Sequence, residues 1–298
     1  MNQVGIIATQ RITKTTHKMR PKEGFMSINV LKWNNSIWKN LCPYLLKTDG
    51  NEVNVNNGGI IFENYWQGSK VYETIYPIEI YTHHTKKGNS EYLLFKYVTE
   101  QSEGDPVFND EEFNRDTYNK WKNAVWKCPN PLRYPNHKIH TKETQFSLLI
   151  DKDGNELRLD YLTARKQIYM NEYIRLIKQT TEYKLLLNYL YIGKNLLIGE
   201  LDVPSNGKNS YYGQDCDEKN NCIMSLPKLE LLLNDPSEAF GHGLCLAYAL
   251  LKDLENNVRP SVELEVTDND TCKALKNNGA NCTNKIKENG LCGVHKNY

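Results

Sequence analysis

The sequence predicts an α+β fold, a helix-rich single main domain with a small C-terminal zinc-knuckle tail. Three observations point there. The middle of the chain carries both helix-spaced and strand-like apolar runs. At 298 residues it is long enough to bury one sizeable core. Finally, Cys272, Cys282, Cys292 and His295 crowd together at its end. We divide the chain into a basic arm (1–24), the main domain (25–265) and the tail (266–298).

The first 22 residues carry Arg11, Lys14, Lys18, Arg20 and Lys22 with no acidic residue, which suits a phosphate-contacting arm, a weak organelle address or a solvated terminal segment. Residues 25–48 mix strand-like apolar residues with turn formers, and "DGNEVNVNNGG" reads as a loop from its Gly and Asn density. Residues 61–73 read as a helix, "EYLLFKYV" as a strand, and the segment with Phe113, Tyr118, Trp121 and Val125 as an amphipathic helix. Pro129, Pro131 and Pro135 then make 129–137 an irregular connection.

"SLLIDKDGNELRLDYL" predicts a hairpin turning at Asp153-Gly154. Tyr161 to Ile177 and "TEYKLLLNYLYIGKN" predict two helices, the second closed by a left-handed Gly193. "NLLIGELDVP" reads as a buried strand stopped by Pro204, and 205–222 as a long polar loop. A last helix begins at Gly241-His242-Gly243 and turns Leu244, Ala247, Leu250, Leu251 and Leu254 toward the core.

Net charge is +1, which excludes binding nucleic acid by a global positive field. No run of about 18 apolar residues occurs, so no membrane-spanning helix and no membrane partner is expected. The start lacks the basic-then-apolar pattern of a secretory signal. A cytoplasmic protein is expected. The abundance of Lys, Asn, Ile and Tyr points to an AT-rich genome such as that of a large DNA virus, which would make the compartment the host cytoplasm. Of eight cysteines, Cys42, Cys128, Cys216, Cys222 and Cys245 show no framework spacing and read as buried small hydrophobes.

The tail sets Cys272, Cys282, Cys292 and His295 at intervals of nine, nine and two residues. Three thiolates and an imidazole suit tetrahedral zinc, and the final pair has knuckle spacing. Zinc would supply the folding energy of a tail too short for a core, with unrelated surface thiols as the alternative. Four filled positions make it a structural or nucleic-acid-contacting knuckle.

On a helix over 61–73, Glu63, Gln67 and Lys70 fall at i, i+4 and i+7, one polar face walled by Phe62, Tyr65, Trp66 and Tyr72. A solvated stripe is the plain reading, but aromatic surroundings argue for burial, where charged groups need a partner or a task.

"ENYWQGSK" resembles the NADAR family of N-glycosidases, which includes hydrolases of ADP-ribosylated guanine and of riboflavin-pathway intermediates. The family motif is Glu-His-x-x-Gln-x-x-Lys; Glu63, Gln67 and Lys70 match it, and Asn64 stands where the family has histidine. "LCPYLLKTDG", "IGKNLLIGELD" and "FGHGLCLAYALL" are similar to further family segments, while the Asp-x-x-Trp-Gly signature is absent, leaving Asp202 and Tyr211-Tyr212-Gly213 as candidates.

The resemblance implies catalytic roles for Glu63, Lys70 and Glu200, and substrate contacts from Asn64, Gln67 and Asp202. Breaking a base–ribose bond builds positive charge on the sugar, so Glu63 or Glu200 would stabilise it or activate water. Lys70 would donate a proton, hold phosphate or attack as an amine. Trp66 or Tyr65 would stack on a base. Gly241, His242 and Gly243 would hold a phosphate at a helix N-terminus, with His242 alone fitting a cap or packed residue equally. Arg165 and Lys166 would clamp phosphate or simply form a solvated face.

The expected partner is a nucleotide or modified nucleobase. The competing expectations are a non-catalytic viral nucleic-acid-binding protein that uses the tail and arm, and a base-modifying transferase.

Overall fold

A computed structural model of the chain describes residues 4–13, 18–34, 36–49, 59–75, 78–85, 88–95, 105–109, 112–132, 144–151, 153–204 and 216–259. Two sheets and six helices organise these residues around the site. The strands are β1 (Ile7–Arg11), β2 (Phe25–Asn29), β3 (Lys70–Tyr72), β4 (Thr144–Ile150), β5 (Glu156–Leu159), β6 (Asn195–Glu200) and β7 (Asn221–Ile223). The helices are α1 (Phe62–Gly68), α2 (Arg115–Trp126), α3 (Tyr161–Ala164 running on through Arg165–Met170 and Asn171–Ile177), α4 (Thr181–Tyr191), α5 (Leu226–Asn234) and α6 (His242–Glu255). The fold is α+β, as expected.

The main sheet has the order β7-β1-β6-β2. β1, β6 and β2 are parallel, with Ile7 opposite Leu196 and Asn195 opposite Phe25, while β7 runs antiparallel to β1. Helices α4 and α6 pack against β6, and a parallel strand covered by helices in this way suits the unbroken apolar run Leu196-Leu197-Ile198, all fully buried.

Two expectations fail on this sheet. Residues 7–11, placed in a basic arm, form a buried interior strand, because Ile7, Ala8, Thr9 and Gln10 alternate into neighbours on both sides and Arg11 alone is partly open. The end of the expected 205–222 loop is β7, and Cys216 and Cys222 are joined in a disulfide across an antiparallel bridge. Cys42, Cys128 and Cys245 are buried free thiols, as expected.

Helices α3, α4 and α6 and the sheet share one core, in which Tyr173, Ile177, Leu186, Leu190, Leu244 and Leu250 are buried. An isolated helix as short as α4 is marginal in water. Burial of Leu186, Leu187 and Leu190, worth roughly 1.5–3 kcal/mol each, is what holds it. Thr180 caps its start by accepting from Tyr183 N, and Gly193 closes its end at φ +82°. α5 went unread in the sequence; Ser225 caps it and Pro227 occupies its first turn.

The second sheet is antiparallel, order β5-β4-β3, with the expected turn at Gly154 (φ +82°). A separate hairpin pairs Ile78–Thr85 with Gly88–Phe95. β3 corrects the reading of 61–73 as one helix. The helix stops at Gly68, because Ser69 O accepts from Leu148 N (2.7 Å) and the next residues pair with β4, Val71 opposite Phe146 and Lys70 opposite Ser147. Lys70 therefore sits on a strand.

The zinc-ligand candidates Cys272, Cys282, Cys292 and His295, and Tyr211-Tyr212-Gly213, lie outside the described residues. Among the described residues no group of three or more His, Cys, Asp or Glu could hold a metal ion, and no helix is long and apolar enough to cross a membrane.

Candidate active-site cleft

A cleft of about 460 Å³ opens at the carboxyl ends of β2 and β6, the edge at which parallel strands leave a crevice between their exit loops. Leu31, Lys32 and Trp33 leave β2 on one side, and Glu200, Leu201 and Asp202 end β6 beneath. Gly241 and His242 enter from the start of α6.

α1 supplies the wall with the most chemistry. Its first turn is pinned by Phe62 N to Leu46 O (2.9 Å) and Glu63 N to Pro43 O (3.2 Å), and the pinned loop brings Cys42, Pro43 and Tyr44 into the lining. Gln67 Nε2 donates to Glu63 Oε1 (2.8 Å), and Lys70 Nζ donates to Gln67 Oε1 (3.1 Å). The amide thus joins carboxylate to ammonium in one line, and the early end of the helix preserves that line because Lys70 reaches back from the strand. Glu63's second oxygen has no hydrogen-bond partner among the described residues.

Lys70 Nζ also lies 4.8 Å from the centroid of Trp66, whose ring meets Tyr169 edge-on. Burial pulls the Lys70 ammonium down to about 8, against the opposing attraction of Glu63. Cys42 is no rival nucleophile, since burial pushes its thiol up to about 12.

Facing this wall is a buried ion pair. His242 Nδ1 lies 2.5 Å from Glu200 Oε2, and its Nε2 lies 3.2 Å from Val30 O. Both partners are acceptors, so the ring donates from both nitrogens and carries its charge. Burial by itself would lower the His242 pKa, but Glu200 outweighs it and raises it. Burial would likewise raise Glu200, but His242 and the amides of Leu201 and Gly243 hold it below the usual carboxylate value.

Both oxygens of the Glu200 carboxylate are hydrogen-bonded internally: Leu201 N donates to Oε1 (2.6 Å), and Gly243 N and His242 share Oε2. A Cβ on Gly243 would meet Glu200 Cβ at 2.8 Å, so only glycine lets α6 approach this closely. The helix N-terminus expected to hold a phosphate is therefore filled by an internal carboxylate.

Three more expected substrate contacts have structural work instead. Asn64 is fully buried outside the cleft, where its Nδ2 donates to Cys128 O (3.0 Å) and Asn130 O (2.9 Å) and its Oδ1 accepts from Leu132 N (2.8 Å). Lys166 donates to Asn234 Oδ1 at the surface (2.5 Å), away from the cleft. Tyr65 stacks on Trp126 rather than on the cleft. Arg165 does line the cleft, as part of a buried knot with α5. Asp202 stands exposed at the rim.

The structure thus brings together Glu63, Trp66, Gln67, Lys70, Arg165, Glu200, Asp202, Gly241 and His242. Tyr161 and Tyr169 on α3, Lys32 and Trp33 after β2, and Ala239 and Phe240 before α6 went unread as site residues. The "LKWNN" turn after a strand was the one local sign available for Lys32 and Trp33.

The fold and cleft define a class, an α+β protein with a carboxylate–amide–ammonium line at the carboxyl edge of a mixed sheet. No family model, curated protein or solved structure matches the chain.

Proposed function

We propose that the protein is an N-glycosidase-like hydrolase acting on the base–ribose bond of a nucleotide or of an ADP-ribosylated or otherwise modified base. The observation that carries this reading is the Glu63–Gln67–Lys70 line beside Trp66 in the cleft. The resemblance of "ENYWQGSK" to the NADAR motif supports it independently of the geometry.

Glu63 is the acting carboxylate, because one of its oxygens has no partner among the described residues, whereas both of those of Glu200 are hydrogen-bonded. As the C1′–N bond breaks, Glu63 stabilises the positive sugar and accepts a proton from the water that adds to C1′. Lys70 delivers its proton to the departing nitrogen and is reprotonated from solvent. A pKa near 8 matches that task, since a donor works best with a pKa near the working pH. Gln67 fixes both groups. Glu200 and His242 position the end of β6, and Trp66 offers its ring to the base.

Incubation with ADP-ribosylated guanosine and with riboflavin-pathway ribosylamines, followed by chromatography of released base, tests the reading. Glu63→Gln is expected to slow release about 100-fold or more. Release by the wild type that Glu63→Gln leaves unchanged removes Glu63 from the mechanism.

We further propose that Cys272, Cys282, Cys292 and His295 bind one structural zinc, on their spacing alone. Metal analysis should find one equivalent in the wild type and a loss in Cys282→Ser; full retention by that variant overturns the assignment.

A further inference from the structure

We propose that Arg165 is the phosphate-binding residue of the cleft, gripping a phosphate of the substrate through the Nε–Nη2 edge of its guanidinium. This deepens the N-glycosidase reading, on which the rest of the substrate's identity rests.

Arg165 is 2% exposed and lines the cleft, yet it forms no ion pair among the described residues. A buried guanidinium ordinarily has a carboxylate partner, because neutral acceptors compensate only part of the lost hydration. Here every hydrogen-bond partner is a backbone carbonyl. Nη1 faces Leu232 O, Leu233 O and Asp235 O at 3.2–3.3 Å, and Nη2 donates to Glu238 O at 2.8 Å.

The five N–H groups divide unequally. The two on Nη1 are shared among three carbonyls. Nη2 donates one of its two to Glu238 O, and among the described residues the buried Nε has no partner. Nε–H and the Nη2–H on the same edge of a guanidinium lie side by side, the parallel fork that matches two oxygens of a phosphate or carboxylate. A buried donor without an acceptor costs about 1–3 kcal/mol, a cost that such an anion would relieve.

The helix places this fork deliberately. Tyr161, Arg165 and Tyr169 all line the cleft at intervals of four residues. Along an α-helix such positions drift steadily around the axis, but Arg165–Met170 is wound as a π-helix, whose wider turn drifts the other way. The two drifts oppose, so three side chains share one face. The Tyr161 ring lies 4.7 Å from the guanidinium carbon, a cation–π contact that helps to hold its orientation.

The balance of charge points the same way. His242 and Glu200 neutralise one another, and Glu63 is tied to Lys70 through Gln67. Asp202 is at the exposed rim. Arg165 and Lys32, whose Nζ lies 5.3 Å from the Trp33 ring, are the lining cations left without a carboxylate partner among the described residues. The helix N-terminus, the other natural seat for phosphate, is already occupied by Glu200.

Calorimetric titration of the full chain with ribose 5-phosphate and with ribose tests this without any turnover. Ribose 5-phosphate should bind about 10-fold tighter or more, the worth of one charge-assisted hydrogen bond. Arg165→Lys should cut that preference to about 2-fold or less, because an ammonium cannot present parallel donors. Since Arg165 also ties four carbonyls, circular dichroism must show that variant folded. Should Arg165→Lys not fold, the arginine Nε–H resonances of the wild type decide: a signal that moves with ribose 5-phosphate and not with ribose supports the grip, and no moving signal overturns it. Equal affinities in the wild type also overturn the proposal, as does a preference unchanged in a folded Arg165→Lys. A protein that prefers ribose 5-phosphate but releases no base from any substrate loses the glycosidase reading and keeps this one.

Discussion

Lys70 is the residue on which sequence and environment meet most directly. Its motif spacing was visible, but its ammonium becomes useful because burial brings its pKa down to about 8, from 10.5. If it is the proton donor, activity falls as pH rises through about 8, and Lys70→Met lowers kcat about 100-fold and abolishes that limb, read from a pH–rate profile. Stability has its own sign. The folded pKa lies below the unfolded one, so between these values the folded state binds fewer protons and stability climbs as pH rises. At pH 7 the wild type bears the cost of a desolvated ammonium, so Lys70→Met should melt no lower than the wild type. A loss of activity accompanied by a lower Tm would mean that Lys70 is a structural group. Glu200 shows the opposite case. Its sequence context invited a catalytic role, yet three internal donors hold its two oxygens.

At the scale of elements, α1 is two-sided. One side carries Glu63 and Gln67 to the cleft; the other turns Asn64 inward to hold 128–132. Asn64 thus has a structural task. Asn64→Ala should cost about 2–3 kcal/mol in urea unfolding, because two carbonyls and an amide lose their partner in the interior. Asn64→His, which would complete the motif that this segment resembles, should also destabilise, since two ring nitrogens cannot replace three hydrogen bonds. A stable Asn64→His would show that 128–132 is held by other contacts. The helix periodicity of α2, α3, α4 and α6 was legible because each buries an apolar stripe. The stop at Gly68 and the π turn in α3 were not, since a hydrogen bond from β4 ends the one and side-chain spacing hides the other.

Across the whole molecule, the largest revision concerns the N-terminus. Its basic residues suggested an arm, but β1 lies between β6 and β7 and supplies their pairing partners. A chain beginning at Phe25 should therefore lose cooperative thermal unfolding, followed by circular dichroism, because β6 would lose one neighbour and β7 its only ladder partner among the described residues. An unchanged melting curve would return residues 1–24 to the status of an arm. The same pairing positions the cleft, since β6 must be fixed on both sides for Glu200 to meet the start of α6.

The sequence by itself determined the α+β class, most helices, the hairpin at Gly154, the buried strand β6 and the spacing of Glu63, Gln67 and Lys70. These follow from local periodicity, turn chemistry and motif intervals, which are properties of neighbouring residues. The tertiary structure alone decided that β1 is interior, that Asn64 faces inward, that Glu200 is held by His242 and the amides of Leu201 and Gly243, and that Arg165 lines the cleft with its Nε unpartnered among the described residues. Each of those depends on which distant backbone or side chain arrives opposite, and a partner 43 residues away, as Gly243 is from Glu200, leaves no mark in the local pattern.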